Sequence, residues 1–358
     1  MLKELTIKNF KSIADDTILL GMVNVFIGEN GCGKSNILEA LAFASCASEG
    51  NLGTEGLYSK GIRVAKPSLM KNSFQGQKQK DSIDLDLNFG KDVMNKSYKL
   101  INNDENGIRE GWQVKSSDFE NSKKIYAISD SAKIISEYVI YALSTKALRG
   151  IFTESRKTPL GINGENLDVI VANMNKKELA ELKNYNYLIS WLEEVIVDTE
   201  DTLKFKGYKL NKSDSRLYFK DKFMSKKNNF FNAENANEGI LHILFYLTLF
   251  ISELTPHLFA IDNIENSLNP NLCREISKVI SQLAVEKNKQ ILMTTHNPAI
   301  LDGLNLNDDR IRLFEVYRND KGQTKTRRIM INADNKPEKL KLSELWMRGY
   351  LGAISQNF

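Results

Sequence analysis

The chain has 358 residues, 42% hydrophobic and 26% charged, with a formal charge of only +4. That length suits one large domain carrying an insertion, or two domains, and the balance is that of an ordinary globular protein with no obligatory nucleic-acid partner. Three scattered cysteines (Cys32, Cys46, Cys273) offer neither a disulfide framework nor a zinc site, Lys3 breaks any secretory leader, and the longest apolar run, 240–251, is too short for a bilayer, so a cytoplasmic protein is expected.

In chain order, residues 2–13 mix apolar and polar positions as an opening strand should, and a second strand is expected over Thr17 to Leu20. Val23 to Ile27 reads as a buried strand. It runs into Gly28-Glu29-Asn30-Gly31-Cys32-Gly33-Lys34-Ser35, which fits G-x-x-x-x-G-K-[ST], the phosphate-binding loop of P-loop NTPases. The residue types follow from the chemistry. Glycines let backbone N–H groups close around a polyphosphate, Lys34 reaches the β/γ-phosphates, and the Ser35 hydroxyl is a Mg²⁺ ligand. Cys32 fills a variable position of the loop, and Ser35 to Ala47 reads as the helix leading out.

The region 81–128 is strand-like, with a turn at 102–107. Residues 167–200 carry helical spacing without a heptad repeat, and 204–219 return to strand character. From 238 the order is a buried helix, a strand at Leu258–Ile261, a helix from Arg274 to Val285, a strand at Gln290–Thr294, and an edge strand near Ile311–Val316. That alternation predicts an α/β fold. The expected division is an N-terminal part of a nucleotide-binding domain over 1–128, a mixed helical and strand insertion over 129–230, a C-terminal part of that domain over 231–335, and a tail over 336–358.

Further site candidates stand at strand and helix ends. Asp262 closes an apolar strand, where P-loop enzymes hold Mg²⁺. His296 follows the next strand within Thr294-Thr295-His296-Asn297-Pro298, in reach of a γ-phosphate by hydrogen bond. Asn237 and Gly239 open the buried helix, either as an anion site or simply as a cap.

Taken together, the opening Leu5–Ser12, the loop Gly28–Ser35 followed by Asn36, the run Ile261–Pro270 and the loop Thr294–Pro298 resemble the ABC-type ATPases of the SMC/RecF group. The likeness is strongest to the AAA-type ATPases related to the overcoming-lysogenization-defect nucleases. The resemblance covers about residues 1–50 and 230–303. It implies a P-loop NTPase of the ABC-ATPase head type, with a mixed β-sheet lobe and a helical insertion. ATP and Mg²⁺ are then the expected cofactors. Gly28, Asn30, Gly31, Cys32, Gly33, Lys34, Ser35 and Asn36 are expected on the nucleotide, with Ser35 and Asp262 on the metal. Lys34, Asp262, Asn263, Glu265 and His296 are expected in the chemistry.

The resemblance also implies an ATP-sandwiched homodimer or higher oligomer, with Asn237 and Gly239 offered to the other copy's γ-phosphate. Where the family has a catalytic glutamate after the aspartate, this chain has Asn263. Asparagine can orient a water but cannot take its proton. Losing a general base costs about 10²- to 10⁴-fold, so slow hydrolysis is expected unless Glu265 substitutes. Gln75, Gln77 and Gln79 are candidates for a magnesium-contacting glutamine, and Arg149 and Arg156 for phosphate contacts.

The 55 residues after Gly303 are too few for the Toprim domain of those nucleases, so the expected partner is a separate effector such as a Toprim-type nuclease. The tail around Trp346 either packs on the chain's own core or docks that partner. The leading functional expectation is an ATPase subunit of an anti-phage defence system. The alternative is a RecF-like DNA repair ATPase, using lysine clusters at 71–80, 222–227 and 325–328, with no membrane role.

Overall fold

The structure is a computed structural model that describes residues 1–76, 78–90, 95–102, 111–119, 127–151, 159–208, 212–330 and 340–351. Three sheets organise them. The largest has six strands in the order β14-β13-β3-β12-β11-β7. Its strands are β3 (Val23–Ile27), β7 (Ile140–Tyr141), β11 (Leu258–Ile261), β12 (Gln290–Thr294), β13 (Ile311–Arg318) and β14 (Thr324–Ile329). All neighbours in it are parallel except β13 and β14, which form an antiparallel hairpin. Because helices cover both faces of the parallel part, its strands read as continuous apolar runs, and β3, β11 and β12 are buried throughout.

A five-stranded antiparallel sheet, in the order β2-β1-β4-β5-β6, lies over one face. It comprises β1 (Glu4–Phe10), β2 (Ile13–Leu19), β4 (Ser82–Asn88), β5 (Asn95–Ile101) and β6 (Gln113–Phe119). The helix Lys34–Glu49 is sandwiched between the two sheets. Its Ile37, Leu38, Leu41 and Phe43 share a core with Ile7, Leu85 and Leu100 on one side and Phe26, Leu292 and Phe314 on the other. The opposite face of the parallel sheet, through Val25, Ile261 and Met293, packs on the helices Glu238–Ile251 and Pro270–Glu286. A small antiparallel sheet, β10-β9-β8, comprises β8 (Leu192–Val197), β9 (Leu217–Asp221) and β10 (Phe230–Asn232).

Three expectations change. Residues 167–200 are not helical throughout: after the helices Leu167–Ala172 and Lys176–Asn184 the chain enters β8. The β-branched run Val195-Ile196-Val197 prefers the pleated sheet and finds its partner in β9. Among the described residues of 204–219, Lys204–Tyr208 forms a helical turn closed by Gly207 (φ 83°), and strand structure begins at Leu217. Finally, β13 is interior to the sheet, since β14 hydrogen-bonds along its outer side. Of the expected turn at 102–107, only Asn102 lies within the described residues.

Candidate functional site

The phosphate loop emerges where β3 ends at the carboxyl edge of the parallel sheet, the edge at which open α/β sheets bind ligands. Glu29, Asn30 and Gly31 form its exposed crest, while Cys32 and Lys34 are buried. The glycines answer two separate demands. A Cβ on Gly28 would lie 2.2 Å from the Val316 carbonyl, and one on Gly33 would lie 2.3 Å from Thr324 Oγ1, so the β13–β14 hairpin leaves room for nothing larger. Gly31 instead has a left-handed φ of 76° and open space beside it. Gly33 caps the following helix without a side-chain acceptor, leaving the first-turn N–H groups to an anion. Lys34 Nζ folds back onto the carbonyls of Gly28 (2.8 Å) and Glu29 (2.9 Å), with Cys32 Sγ at 3.9 Å. Burial lowers its pKa, opposed by the negative charge of Asp262 and Glu265.

Asp262 lies one strand over from β12, just beyond β11. Its carboxylate accepts the Ser35 hydroxyl at 3.1 and 3.2 Å across 227 residues of sequence, and Thr294 Oγ1 at 2.5 Å. Thr294 in turn accepts the Asn263 N–H at 2.9 Å, which holds Asn263 in a left-handed turn (φ 56°) that asparagine tolerates. Glu265 curls back so that Oε1 accepts the His296 N–H at 2.8 Å, while its buried Oε2 has no partner among the described residues. Burial, then the nearby Lys34 charge, lowers the pKa of the His296 imidazole. Asn36 turns to the side and donates to Ser12 Oγ at 2.7 Å.

The hydroxyl–carboxylate pair is a suitable donor set for a hard divalent cation. Among the described residues no cluster of three His, Cys, Asp or Glu side chains could hold a metal alone, so phosphate and water oxygens would complete such a shell.

Asn237 and Gly239 stand apart, exposed and half-exposed at the start of the buried helix. Asn237 Oδ1 caps that helix through the Ile240 N–H at 2.9 Å, which leaves its amide NH₂ outward. Ser267 Oγ donates to Glu238 at 3.0 Å, tying this segment to the loop after Asp262. Arg149 donates to the Ala236 carbonyl at 3.2 Å, beside the same segment; Arg156 and Gln77 lie outside the described residues. Gln79 donates to the Ser68 carbonyl and Gln75 is exposed, with no hydrogen bond from either to Ser35 or Asp262. The cluster at 325–328 is neutralised by ion pairs of Lys325 with Asp16, Arg327 with Glu315 and Arg328 with Asp309. In the tail, Trp346 is buried against the chain's own core.

Several neighbours of the loop carry no local sequence signal. Thr324 Oγ1 donates to the Cys32 carbonyl at 2.6 Å and shares a 2.7 Å hydrogen bond with Ser12 Oγ. Arg318 reaches the Gly31 carbonyl at 2.9 Å. Glu39, on the loop's helix, is paired with Lys11 and with Arg63, whose guanidinium also reaches Asn36 at 3.4 Å. The turn Asn319–Gly322, with Gly322 at a left-handed φ of 72°, is a local signal for the hairpin but not for these contacts.

This sheet order and phosphate loop are those of a P-loop ATPase head, and the fold is shared with SMC heads. Solved structures similar to it include an Smc head bound to the C-winged helix domain of ScpA (TM-score 0.60, 15% identity, 93% of this chain and 98% of that one). An SMC head domain from Thermotoga maritima matches with a TM-score of 0.53 at 15% identity, covering 92% of this chain and 99% of that one. A Pyrococcus furiosus Smc head with an extended coiled coil, bound to the C-terminal domain of ScpA, gives 0.56 at 14%, covering 92% and 96%. Among curated proteins none matches the sequence. Residues 23–302 match the family model described as "AAA domain, putative AbiEii toxin, Type IV TA system", and the chain belongs to that AAA ATPase family.

Proposed function

We propose that this chain binds Mg²⁺-ATP at the phosphate loop, hydrolyses it slowly, and uses the nucleotide to clamp two copies together and so regulate a separate effector in cytoplasmic anti-phage defence. The observation that carries the reading is the meeting of Ser35 and Asp262 at 3.1 Å, from two parts of the chain that 227 residues separate. On this reading 1–128 and 231–335 are two parts of one head, and 129–230 is an insertion.

Each residue then has a task. Backbone N–H groups of Gly31, Gly33 and the first helical turn bind phosphate, and Lys34 leaves its carbonyl partners for the β/γ-phosphates. Ser35 and Asp262 hold Mg²⁺, which when bound neutralises charge developing on the γ-phosphate. His296 donates to that phosphate. Asn263 orients the attacking water, and Glu265, whose Oε1 is held by the His296 backbone N–H, is the carboxylate left to take its proton, at a reduced rate. The outward amide of Asn237 and the half-exposed Gly239 fit an anion offered by a second copy. The family description, with its toxin and toxin–antitoxin terms, supports a defence role. A nuclease, for instance of the Toprim type, suits the effector part.

The experiment is ATP titration of wild type and Lys34→Ala with mass measurement in each state, followed by co-purification with the neighbouring gene product. ATP binding that depends on Lys34, with a doubling of mass, is expected. A monomer that ignores ATP and brings down no partner would end the proposal.

A further inference from the structure

Three lysine-rich segments stand out in the sequence, and one of them carries an exposed aromatic ring beside lysines with no ion pair among the described residues. The cluster at 325–328 is ion-paired, and Lys71 donates to the Asn102 carbonyl. The segment 222–227 differs. It forms the exposed connection between β9 and β10, and among the described residues none of Lys222, Lys226 and Lys227 is in an ion pair. A second exposed segment, the turn Lys204–Tyr208, lies against it. The Tyr208 hydroxyl donates to the Lys227 carbonyl at 2.9 Å, and the Tyr208 ring meets Phe230 edge-on at 5.7 Å.

Both segments are shaped by their own hydrogen bonds. The Asp198 carboxylate accepts the N–H groups of Thr202, Leu203 and Lys204 and the Thr202 hydroxyl, fixing the entry to the first turn. Asp221 accepts the Phe223 N–H at 2.7 Å, and the Asn228 N–H closes on the Ser225 carbonyl. The result is one surface with five lysines (Lys204, Lys206, Lys222, Lys226, Lys227) and two phenyl rings that the fold does not bury. Phe205 is 88% exposed and Phe223 is 76% exposed, each next in sequence to a lysine. Lys222 Nζ lies 5.2 Å from the centre of the Phe223 ring, so that ring already serves as a platform for a flat or cationic group.

We propose that this tip of the insertion binds single-stranded nucleic acid, with bases stacked on Phe205 and Phe223 and phosphates held by the flanking lysines. This goes beyond the nucleotide reading and does not depend on it. The choice of partner follows from the pairing of rings with cations. A duplex offers phosphates but keeps its bases stacked away, leaving the rings unused. A lipid surface needs a continuous apolar face, and here only Met224 adjoins two separate rings. A single strand alternates a flat π face with a negative charge at short spacing, as this surface alternates ring and ammonium.

The test is fluorescence anisotropy of labelled twelve-nucleotide dT and U oligomers with the whole protein, without ATP, at several salt concentrations. Four or five phosphate contacts give a log–log salt slope of about −3. Phe205→Ala and Phe223→Ala should each weaken binding about tenfold or more without changing that slope. Phe205→Trp and Phe223→Trp should keep or improve it. Lys222→Glu with Lys226→Glu and Lys227→Glu should remove it. All these variants should bind ATP like wild type, which checks their fold separately. Three results would overturn the proposal: affinity indifferent to the alanine substitutions, equal affinity for a duplex of the same length, or binding to phosphatidylserine vesicles with none to the oligomers.

Discussion

The clasp of the β13–β14 hairpin on the phosphate loop predicts that a side chain 292 residues from the loop governs affinity for ATP. Thr324→Val keeps the bulk of the side chain and removes its hydroxyl, and with it two hydrogen bonds, to the Cys32 carbonyl (2.6 Å) and Ser12 Oγ (2.7 Å). Cys32 is buried, so its carbonyl would be left without a partner at a cost of about 1–3 kcal/mol. In the free protein the loop can relax to recover part of that loss, and ATP must then restore the cradle. If about 2 kcal/mol is returned on binding, Kd rises roughly 30-fold, at 1.4 kcal/mol per factor of ten. Calorimetric titration with Mg²⁺-ATP measures this directly. Thr326→Val is the control: on the same strand its hydroxyl donates to Asp16 at 2.7 Å, so it should lower stability to urea and leave affinity alone. Equal ATP affinity in wild type and Thr324→Val would refute the bracing argument.

Other expectations follow from the same geometry. Asn263→Glu supplies a carboxylate next to Asp262 and should raise steady-state turnover by about 10²-fold or more; an unchanged rate would mean that Glu265 already acts as the base. Asp262→Asn should make ATP affinity insensitive to added Mg²⁺, read by titration with and without a chelator. A buried cation gives a pH test. Lys289 donates to the carbonyls of Leu249 (2.8 Å) and Ser252 (2.6 Å) and to Thr255 Oγ1 (2.5 Å), and burial pulls its pKa from 10.5 down to about 7 against the opposing pull of Glu178 and Glu253. Between those values the unfolded chain holds a proton that the folded chain releases. Wild type should therefore gain stability relative to Lys289→Met as pH rises from 7 to 9, by up to about 1.4 kcal/mol per unit. Urea unfolding at the two pH values measures the difference, and a constant difference would sink it.

What the sequence disclosed depended on distance along the chain. The phosphate loop is eight consecutive residues whose types are dictated by one ligand, so it can be read without a fold. The strands ending in Asp262 and Thr294 were visible because a parallel strand buried on both faces is a continuous apolar run. The α/β class and the relation to SMC-type ATPases followed from these. The Ser12–Thr324 and Gly31–Arg318 contacts were invisible, because serine, threonine and arginine at separations of 312 and 287 residues leave no local pattern. Residues 167–200 misled for another reason. Leu188, Ile189, Trp191, Leu192 and Val195 satisfy helical spacing, and only the pairing with β9 decides for a strand.

The hairpin has a bearing on how the molecule comes into being. Strand β3 sits between β12 and β13, and the loop after it is finished by Thr324, so nearly the whole polypeptide must be in place before any part of the phosphate cradle is complete. Such dependence on remote pairings makes assembly slow and cooperative. A nascent or clipped chain lacking β14 would retain the eight-residue motif yet be blind to ATP, and competence to bind would arrive abruptly with the last strand, as a property of the finished fold.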